Sequence, residues 1–201
     1  MDADIVLARR LATNLDGSFD ALVIAHQDRL FTIARRLLGS AQDAEEVAQD
    51  AFVRAHRALA DYPAERVREL RLRPWLAAIV VNLARNRRRR LADRQPPQPL
   101  APLLAGGLDI HDRPLGRPEA RHAATDARRE WAGRLAALPL AYRTPVVLRH
   151  VDGLSYPEVA IALGRPEGTV KAQVHRGLRL LRVALEAEAT AERQSTREMT
   201  A

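Results

Sequence analysis

The chain has 201 residues, a formal net charge of +7 and a hydrophobic content of 47%, with only 4% aromatic residues. A basic surface favours polyanions such as nucleic acid or anionic membranes, whereas the absence of cysteine excludes disulfides and cysteine-based zinc sites. The first ten residues do not have the pattern of a signal peptide, and the most apolar run, residues 75–81, is too short to span a bilayer. We therefore expect a cytoplasmic protein without membrane insertion.

The first predicted block of helices runs from about Ser18 to Leu91. Its apolar residues recur at steps of three and four, which places them on one face of each helix. Gly39 and Ser40 should separate the first two helices, because glycine favours the end of a helix. The third helix should begin near Pro74, since proline suits a first helical turn. The stripes of the first two helices consist of Phe19, Leu22, Val23, Leu30, Ile33, Ala34 and Leu37, and of Ala44, Val47, Ala48, Ala51, Phe52, Ala55 and Leu59.

The middle of the chain has the composition of a linker. Residues 95–118 read QPPQPLAPLLAGGLDIHDRPLGRP, which is rich in proline and contains paired glycines. Proline removes backbone donors and blocks helices, and glycine adds conformational freedom. We expect a flexible connection between two separate helical domains.

The second predicted block runs from about Ala120 to Ala187 and contains four short helices. Trp131, Leu135 and Leu138 indicate the first helix. The apolar run at residues 146–151 indicates the second, which should begin at Thr144-Pro145 or slightly earlier. The third and fourth helices should span residues 156–163 and 167–185, with Gly164-Arg165-Pro166 between them. No strand pattern is present, so the fold class is all-α, and the polar tail 188–201 should be frayed.

Residues 154–182 carry the clearest local pattern, that of a helix-turn-helix whose second helix enters the major groove. Val170, Val174 and Leu178 should be buried, which turns the opposite face of this helix toward DNA. Lys171 and Arg176 can contact phosphate or guanine, and Glu167 can accept from cytosine. The predicted DNA-facing residues are Glu167, Gly168, Thr169, Lys171, Ala172, His175, Arg176 and Arg179.

Three segments, taken together and in this order, resemble bacterial RNA polymerase sigma factors of the extracytoplasmic-function (ECF) subfamily. Residues 43–59, DAEEVAQDAFVRAHRAL, resemble the polymerase-binding helix, and residues 73–90, RPWLAAIVVNLARNRRRR, resemble the promoter-recognition helix. The segment from Leu138 to Arg182 resembles the C-terminal DNA-binding domain. The resemblance implies region-two-like residues 1–94, a linker at 95–119, region-four-like residues 120–187 and a tail at 188–201.

The resemblance also implies where each partner binds. The helix at residues 43–59 would dock on the largest polymerase subunit, and an acidic and amide surface suits a basic protein partner better than DNA. The predicted core-binding residues are Asp43, Glu46, Gln49 and Asp50. The third helix would capture unstacked bases of the minus-ten element and hold the phosphate backbone. The predicted minus-ten residues are Asn82, Arg85, Asn86, Arg87, Arg88 and Arg89.

The loop Asp61–Arg73 departs from the family pattern, because it is longer and more basic than expected and has Tyr62 as its only aromatic residue. The sequence therefore does not identify the residues that line the base pocket. Trp75 fits a core position better than a stacking platform.

The sequence thus predicts an alternative sigma factor, responsive to stress or another signal, that binds core RNA polymerase and promoter DNA. Family membership also implies an anti-sigma factor as a partner. The alternative is a stand-alone helix-turn-helix regulator that uses only residues 154–182. We predict no enzymatic activity and no cofactor, because the sequence holds no metal-ligand cluster, nucleophile motif or glycine-rich phosphate loop.

Overall fold

The computed structural model describes residues 3–94 and 131–199, and all regular structure in these ranges is helical. The first group comprises α1 (Ala3–Thr13), α2 (Leu15–Leu38), α3 (Ala41–Asp61), α4 (Ala64–Arg68) and α5 (Leu72–Arg94). The second comprises α6 (131–137), α7 (Leu140–Val146) with a π-helical continuation Val147–Val151, α8 (Tyr156–Leu163) and α9 (Glu167–Met199). The all-α prediction is confirmed. The predicted linker 95–119 and the first residues of the predicted second domain lie outside the described ranges.

Local side-chain chemistry sets the ends of the first helices. The Asn14 side chain caps α2 by accepting from the Gly17 N–H at 3.0 Å. Gly39, with φ of +83°, ends α2 in the left-handed conformation that glycine adopts at little cost. Ser40 then caps α3 by accepting from the Asp43 N–H at 3.2 Å. The predicted break at Gly39 and Ser40 is therefore confirmed.

The core of the first domain lies between α2, α3 and α5, which pack on one another in pairs. Leu22, Leu30, Ile33, Leu76 and Val80 are fully buried there. The residues on the predicted stripes of α2 and α3 face this core or its edge. Each buried aliphatic side chain of this size contributes about 1.5–3 kcal/mol to folding.

Helix α1 was not predicted from the sequence. It packs against α2 and α4 and buries Leu7, Ala8 and Leu11. An isolated helix of this length is marginal in water, so its stability comes from these tertiary contacts rather than from its own sequence. Helix α5 begins at Leu72, two residues before the predicted start.

Two elements of the second domain differ from the sequence prediction. The second helix begins at Leu140, earlier than Thr144-Pro145 as the sequence allowed, so Pro145 lies inside it rather than in its first turn. Its hydrogen-bonding widens to the π pattern, with the Asp152 N–H bonded to the Val147 carbonyl at 2.9 Å. Helix α9 does not end near Leu185 but continues through Met199, because residues 184–199 are rich in alanine, glutamate and arginine.

Helices α7 and α9 approach closely at Gly177, which is buried. A Cβ atom at this position would lie 2.7 Å from the Val146 Cγ2 atom. We expect Gly177→Ala to lower the free energy of unfolding by about 1 kcal/mol, because overpacking outweighs the better helix propensity of alanine. Urea denaturation measures the change. Gly168→Ala on the same helix is the control, since a Cβ there meets nothing within 4 Å; equal stabilisation by both substitutions would contradict the prediction.

The two helical groups pack against each other. Helix α8 lies against α5, and a single hydrophobic cluster includes Val147, Leu148 and Leu154 together with the core of the first domain. The sequence predicted two domains but not this contact between them.

Candidate functional site

Helix α8 has the bounds predicted for the first helix of the helix-turn-helix, and α9 begins at the predicted residue. Ser155 and Glu158 form a reciprocal capping box at the start of α8. Gly164, with φ of +60°, ends α8 in the left-handed conformation, and α9 begins three residues later at Glu167. Burial alone would raise the pKa of Glu158, but hydrogen bonds from Ser155 and the positive charges of Arg73 and Arg71 lower it. The carboxylate therefore stays ionised and the cap persists at neutral pH.

One face of α9 is buried and the opposite face is open. Val170, Val174, Gly177 and Leu181 point inward and recur at helical spacing. The predicted DNA-facing residues lie away from this stripe, with Glu167 partly exposed and the other seven exposed. A polar, mostly basic surface of this kind on the second helix has the form needed to enter a major groove.

Two of the cations on this face are held by neighbours. The Lys171 Nζ lies 2.7 Å from the Glu167 carboxylate, whose hydrogen bond raises the pKa of Lys171. The Arg176 guanidinium lies 5.7 Å from the centroid of the Tyr142 ring on α7. Within the described residues Arg176 contacts a ring and is paired with no carboxylate, so its charge remains available to a polyanion.

Helix α5 presents the residues predicted for the minus-ten element in two environments. Asn82, Arg85, Asn86 and Arg89 are exposed, whereas Arg87 and Arg88 are partly buried. Arg88 donates to the Leu37 carbonyl at the end of α2, at 3.3 Å. Among the described residues, the exposed amide and guanidinium groups on α5 are accessible to bases and phosphates.

Arg87 connects the predicted core-binding surface on α3 with the predicted minus-ten surface on α5. Its guanidinium lies 2.5 Å from the Asp43 carboxylate and 2.8 Å from that of Glu46. The hydrogen bond to Asp43 raises the pKa of Arg87, and the nearby Glu46 adds to this effect. Asp43 and Glu46 therefore join α3 to α5, while Gln49 and Asp50 remain exposed on α3. Nothing in the sequence signals this pairing between residues 44 positions apart.

The basic loop before α5 contains the short helix α4. The Arg66 guanidinium lies 3.7 Å from the centroid of the Tyr62 ring, and the Tyr62 and Trp75 rings are 6.3 Å apart. Trp75 is partly buried and packs against the core, in agreement with the core position preferred from the sequence. A groove of about 440 Å³ opens beside these residues. Its lining consists of Arg66, Glu69, Leu70, Arg71, Pro74, Trp75 and Ala78 from the first domain and Ile161 from α8.

A buried polar cluster lies where α1, α2, α5 and the turn after α7 meet. His26 is buried, with its Nε2 atom 3.4 Å from the Asp4 carboxylate. Burial lowers the pKa of His26, and the charges of Arg29 and Arg73 lower it further, against the opposing effect of Asp4 and Asp152. No local sequence pattern marks a buried histidine, so this cluster is not predictable from the sequence.

We expect this histidine to make the protein less stable in mild acid. The unfolded chain binds a proton at His26 near pH 6.5, whereas the folded chain resists protonation to lower pH. The free energy of unfolding therefore falls as the pH drops below about 6.5, by at most about 1.4 kcal/mol per pH unit. Urea denaturation at pH values from 7.5 to 5, spaced about half a pH unit apart, measures this slope. His26→Gln should reduce the dependence of the free energy of unfolding on pH, whereas His175→Gln, at an exposed position, should not change it. An unchanged slope in His26→Gln would rule the prediction out.

Within residues 3–94 and 131–199, no group of three or more His, Cys, Asp or Glu residues is arranged to hold a metal ion. No helix in the same part of the chain is long and apolar enough to cross a membrane.

Comparison with known families matches both parts of the chain. The family model of Sigma-70 region 2 matches residues 22–94, and that of Sigma-70, region 4 matches residues 128–181. ECF RNA polymerase sigma factor SigW of Bacillus subtilis is 30% identical over 190 residues, which cover 90% of this chain and 98% of the relative. ECF RNA polymerase sigma factor SigE of Mycolicibacterium smegmatis is 34% identical over 169 residues, which cover 82% of this chain and 60% of the relative.

Solved structures show the same architecture. CnrH, in complex with the cytosolic domain of CnrY, superposes with a TM-score of 0.67 at 27% identity and covers 92% of this chain and 99% of that one. The sigma factor RpoE of Bartonella quintana, in complex with the anti-sigma factor NepR, gives a TM-score of 0.60 at 20% identity and covers 84% of this chain and 96% of that one. The second similarity shows a shared fold.

Proposed function

The chain belongs to the extracytoplasmic-function family of RNA polymerase sigma factors. We propose which of its two helical domains binds core polymerase and which binds each promoter element. The protein binds core RNA polymerase and promoter DNA and directs promoter-specific transcription initiation as an alternative sigma factor. The assignment of a separate role to each domain rests on the open basic face of α9. In the same chain, α9 comes after a domain that matches region 2.

In this proposal the first domain, residues 1–94, binds core polymerase through α3 and the minus-ten element through α5. Gln49 and Asp50 provide the exposed part of the polymerase contact. Asp43 and Glu46 pair with Arg87 and thereby fix the position of α3 against α5. Asn82, Arg85, Asn86 and Arg89 contact the melted strand. The groove beside Trp75 accepts an unstacked base, because Arg66 and Arg71 in its lining provide guanidinium groups on which a base can stack.

The second domain, residues 120–187, reads the minus-thirty-five element in the major groove through α9. Arg176 and Arg179 supply phosphate or guanine contacts, and Thr169 and His175 lie on the same exposed face. Residues 95–119 connect the domains and residues 188–201 form the tail. We propose that the protein acts in the cytoplasm, together with core polymerase.

An anti-sigma factor is a further proposed partner. CnrH and RpoE are both described in complexes, with CnrY and with the anti-sigma factor NepR respectively. Since this chain has the same fold, a protein that binds both of its domains would prevent it from engaging polymerase.

The family is one of transcription initiation factors, and we propose that the protein has no catalytic activity of its own. The stand-alone regulator offers no role for α1 to α5, and relatives that align along nearly the whole chain are sigma factors. No observation favours that alternative.

Run-off transcription with purified core polymerase on a fragmented genomic library tests the proposal. We expect discrete new transcripts that share two upstream elements, and only when core and this protein are both present. Promoter binding by the protein alone, in a reaction that lacks core, would instead support the stand-alone regulator. Failure to bind core at all would contradict the proposal.

A further inference from the structure

A groove of about 460 Å³, the α1–α2 groove, lies where the end of α1 meets the beginning of α2. Its lining consists of Val6, Arg9, Arg10, Thr13, Asn14 and Ser18. The match to the family model of Sigma-70 region 2 begins at residue 22, so every residue of this groove precedes the matched segment. None of these residues belongs to the surfaces proposed above for core polymerase or promoter DNA.

The lining provides positive charge and contains no carboxylate. Arg9 and Arg10 are exposed, and among the described residues no carboxylate pairs with either guanidinium. Asp16, in the first turn of α2, lies outside the lining and contacts His56, with 3.1 Å between Oδ1 and Nε2. The charges of Arg9 and Arg10 are therefore available to an anion in the groove.

Asn14 adds a neutral donor to the same lining. Its Oδ1 atom accepts from the Gly17 N–H at 3.0 Å, which orients the amide across the first turn of α2. A Cβ atom on residue 17 would lie 2.5 Å from the Asn14 Nδ2 atom, so glycine leaves the room that the amide needs. In the part of the chain that the structure describes, no acceptor binds Nδ2, which leaves this group to a ligand.

Ser18 is a buried polar residue that lines the groove. Only 5% of its surface is exposed, and within residues 3–94 and 131–199 its hydroxyl has no hydrogen-bond partner. The Thr13 hydroxyl, in contrast, donates to the Arg9 carbonyl at 3.1 Å. A buried hydroxyl without a partner costs free energy, which a ligand that accepts its hydrogen bond would recover. The positive end of the 24-residue helix α2 lies at the same place and also favours an anion.

We propose that the α1–α2 groove binds the phosphate group of a small phosphorylated ligand of about nucleotide size. Arg9 and Arg10 neutralise the phosphate, since a guanidinium binds phosphate oxygens through two parallel hydrogen bonds. Asn14 and Ser18 donate to further oxygens, and Val6 contacts the apolar part of the ligand. The volume of the groove lies within the range of about 300 to 1,000 Å³ that is typical of small-molecule sites. Binding is a property of the free protein and does not depend on the proposed sigma function.

Isothermal titration calorimetry of the free full-length protein tests the site with inorganic pyrophosphate, ADP and GDP as probes. We expect at least one of these probes to bind with a dissociation constant below about 1 mM, whereas adenosine, which has no phosphate, should not bind. Arg9→Gln and Arg10→Gln should each weaken binding at least about tenfold, and Ser18→Ala by about threefold to tenfold. Arg57→Gln removes an exposed arginine on α3 outside the groove and is the matched control, which should bind as the unsubstituted protein does.

Thermal denaturation with and without the probe provides a second measurement. A bound probe should raise the midpoint of unfolding of the unsubstituted protein and of Arg57→Gln, and should raise it less in the groove variants. The groove variants without probe should unfold as the unsubstituted protein does, because Arg9 and Arg10 are exposed and alanine suits a buried helical position.

Three results would overturn the proposal. The first is the absence of binding by all three phosphorylated probes. The second is equal weakening in Arg57→Gln and the groove variants, because it would show a general attraction of anions to a basic protein. The third is a loss of promoter affinity in Arg9→Gln holoenzyme without any binding of the small probes, which would assign the groove to phosphates of DNA instead.

Discussion

Asp50→Arg is expected to weaken binding to core polymerase by about tenfold to a hundredfold, because it places a cation on a surface proposed to meet a basic partner. Asp50 is exposed on α3, and within the described part of the chain no ion pair holds its carboxylate. The substitution therefore changes the surface charge without removing an internal contact. Titration of labelled protein with core at two salt concentrations measures the loss, which should be smaller at high salt.

The choice of Asp50 matters, because Asp43 and Glu46 are bonded to Arg87. Charge reversal at either of those positions would also disturb the contact between α3 and α5. Asp28→Arg, at an exposed carboxylate on α2, is the control for a general change in charge. If both variants bind core as well as the unsubstituted protein does, Asp50 does not belong to the interface.

Arg176→Ala is expected to reduce holoenzyme affinity for promoters that depend on the upstream element, at a cost of about 1–3 kcal/mol. The guanidinium lies on the exposed face of α9 near the Tyr142 ring, and in the part of the chain that the structure describes no carboxylate pairs with it. If it contacts a guanine, specificity at one position relaxes; if it contacts phosphate, affinity falls for all sequences and the salt dependence decreases. Binding to a panel of promoter variants at several salt concentrations separates these outcomes.

Two substitutions on the same helix serve as comparisons. Lys171→Ala should have a smaller effect, because Lys171 is already paired with Glu167. Arg182→Ala removes an exposed arginine that lies outside the predicted DNA-facing set. A footprint over the upstream element that is identical for Arg176→Ala and the unsubstituted protein would show that this residue does not face the groove.

Local sequence signals predicted the individual helices of both domains well. The end of α8 and the start of α9 follow from Gly164 and Pro166, whose effects on the backbone act within one helical turn. The exposed face of α9 follows from the spacing of Val170 and Val174, because a helix with a buried stripe must expose its other side. Such properties depend on neighbours in sequence and need no tertiary information.

Elements without strong local signals were missed or misplaced. Helix α1 depends on packing against α2 and α4, and α4 lies in a loop that shows no helical periodicity. The widened turn at residues 147–151 follows Pro145 and places Asp152 in the contact between the two domains, and no sequence pattern marked that displacement.

The sequence by itself determined the all-α class, the order of the two DNA-binding units and the candidate contact faces, because periodicity and helix caps are local. Only the tertiary structure decided which charges are available to partners. Arg87 meets Asp43 across 44 residues, and Arg29 meets Asp152 across 123. Contacts over such separations arise from the packing of whole helices, so a chain with many arginines and carboxylates does not reveal which of them pair.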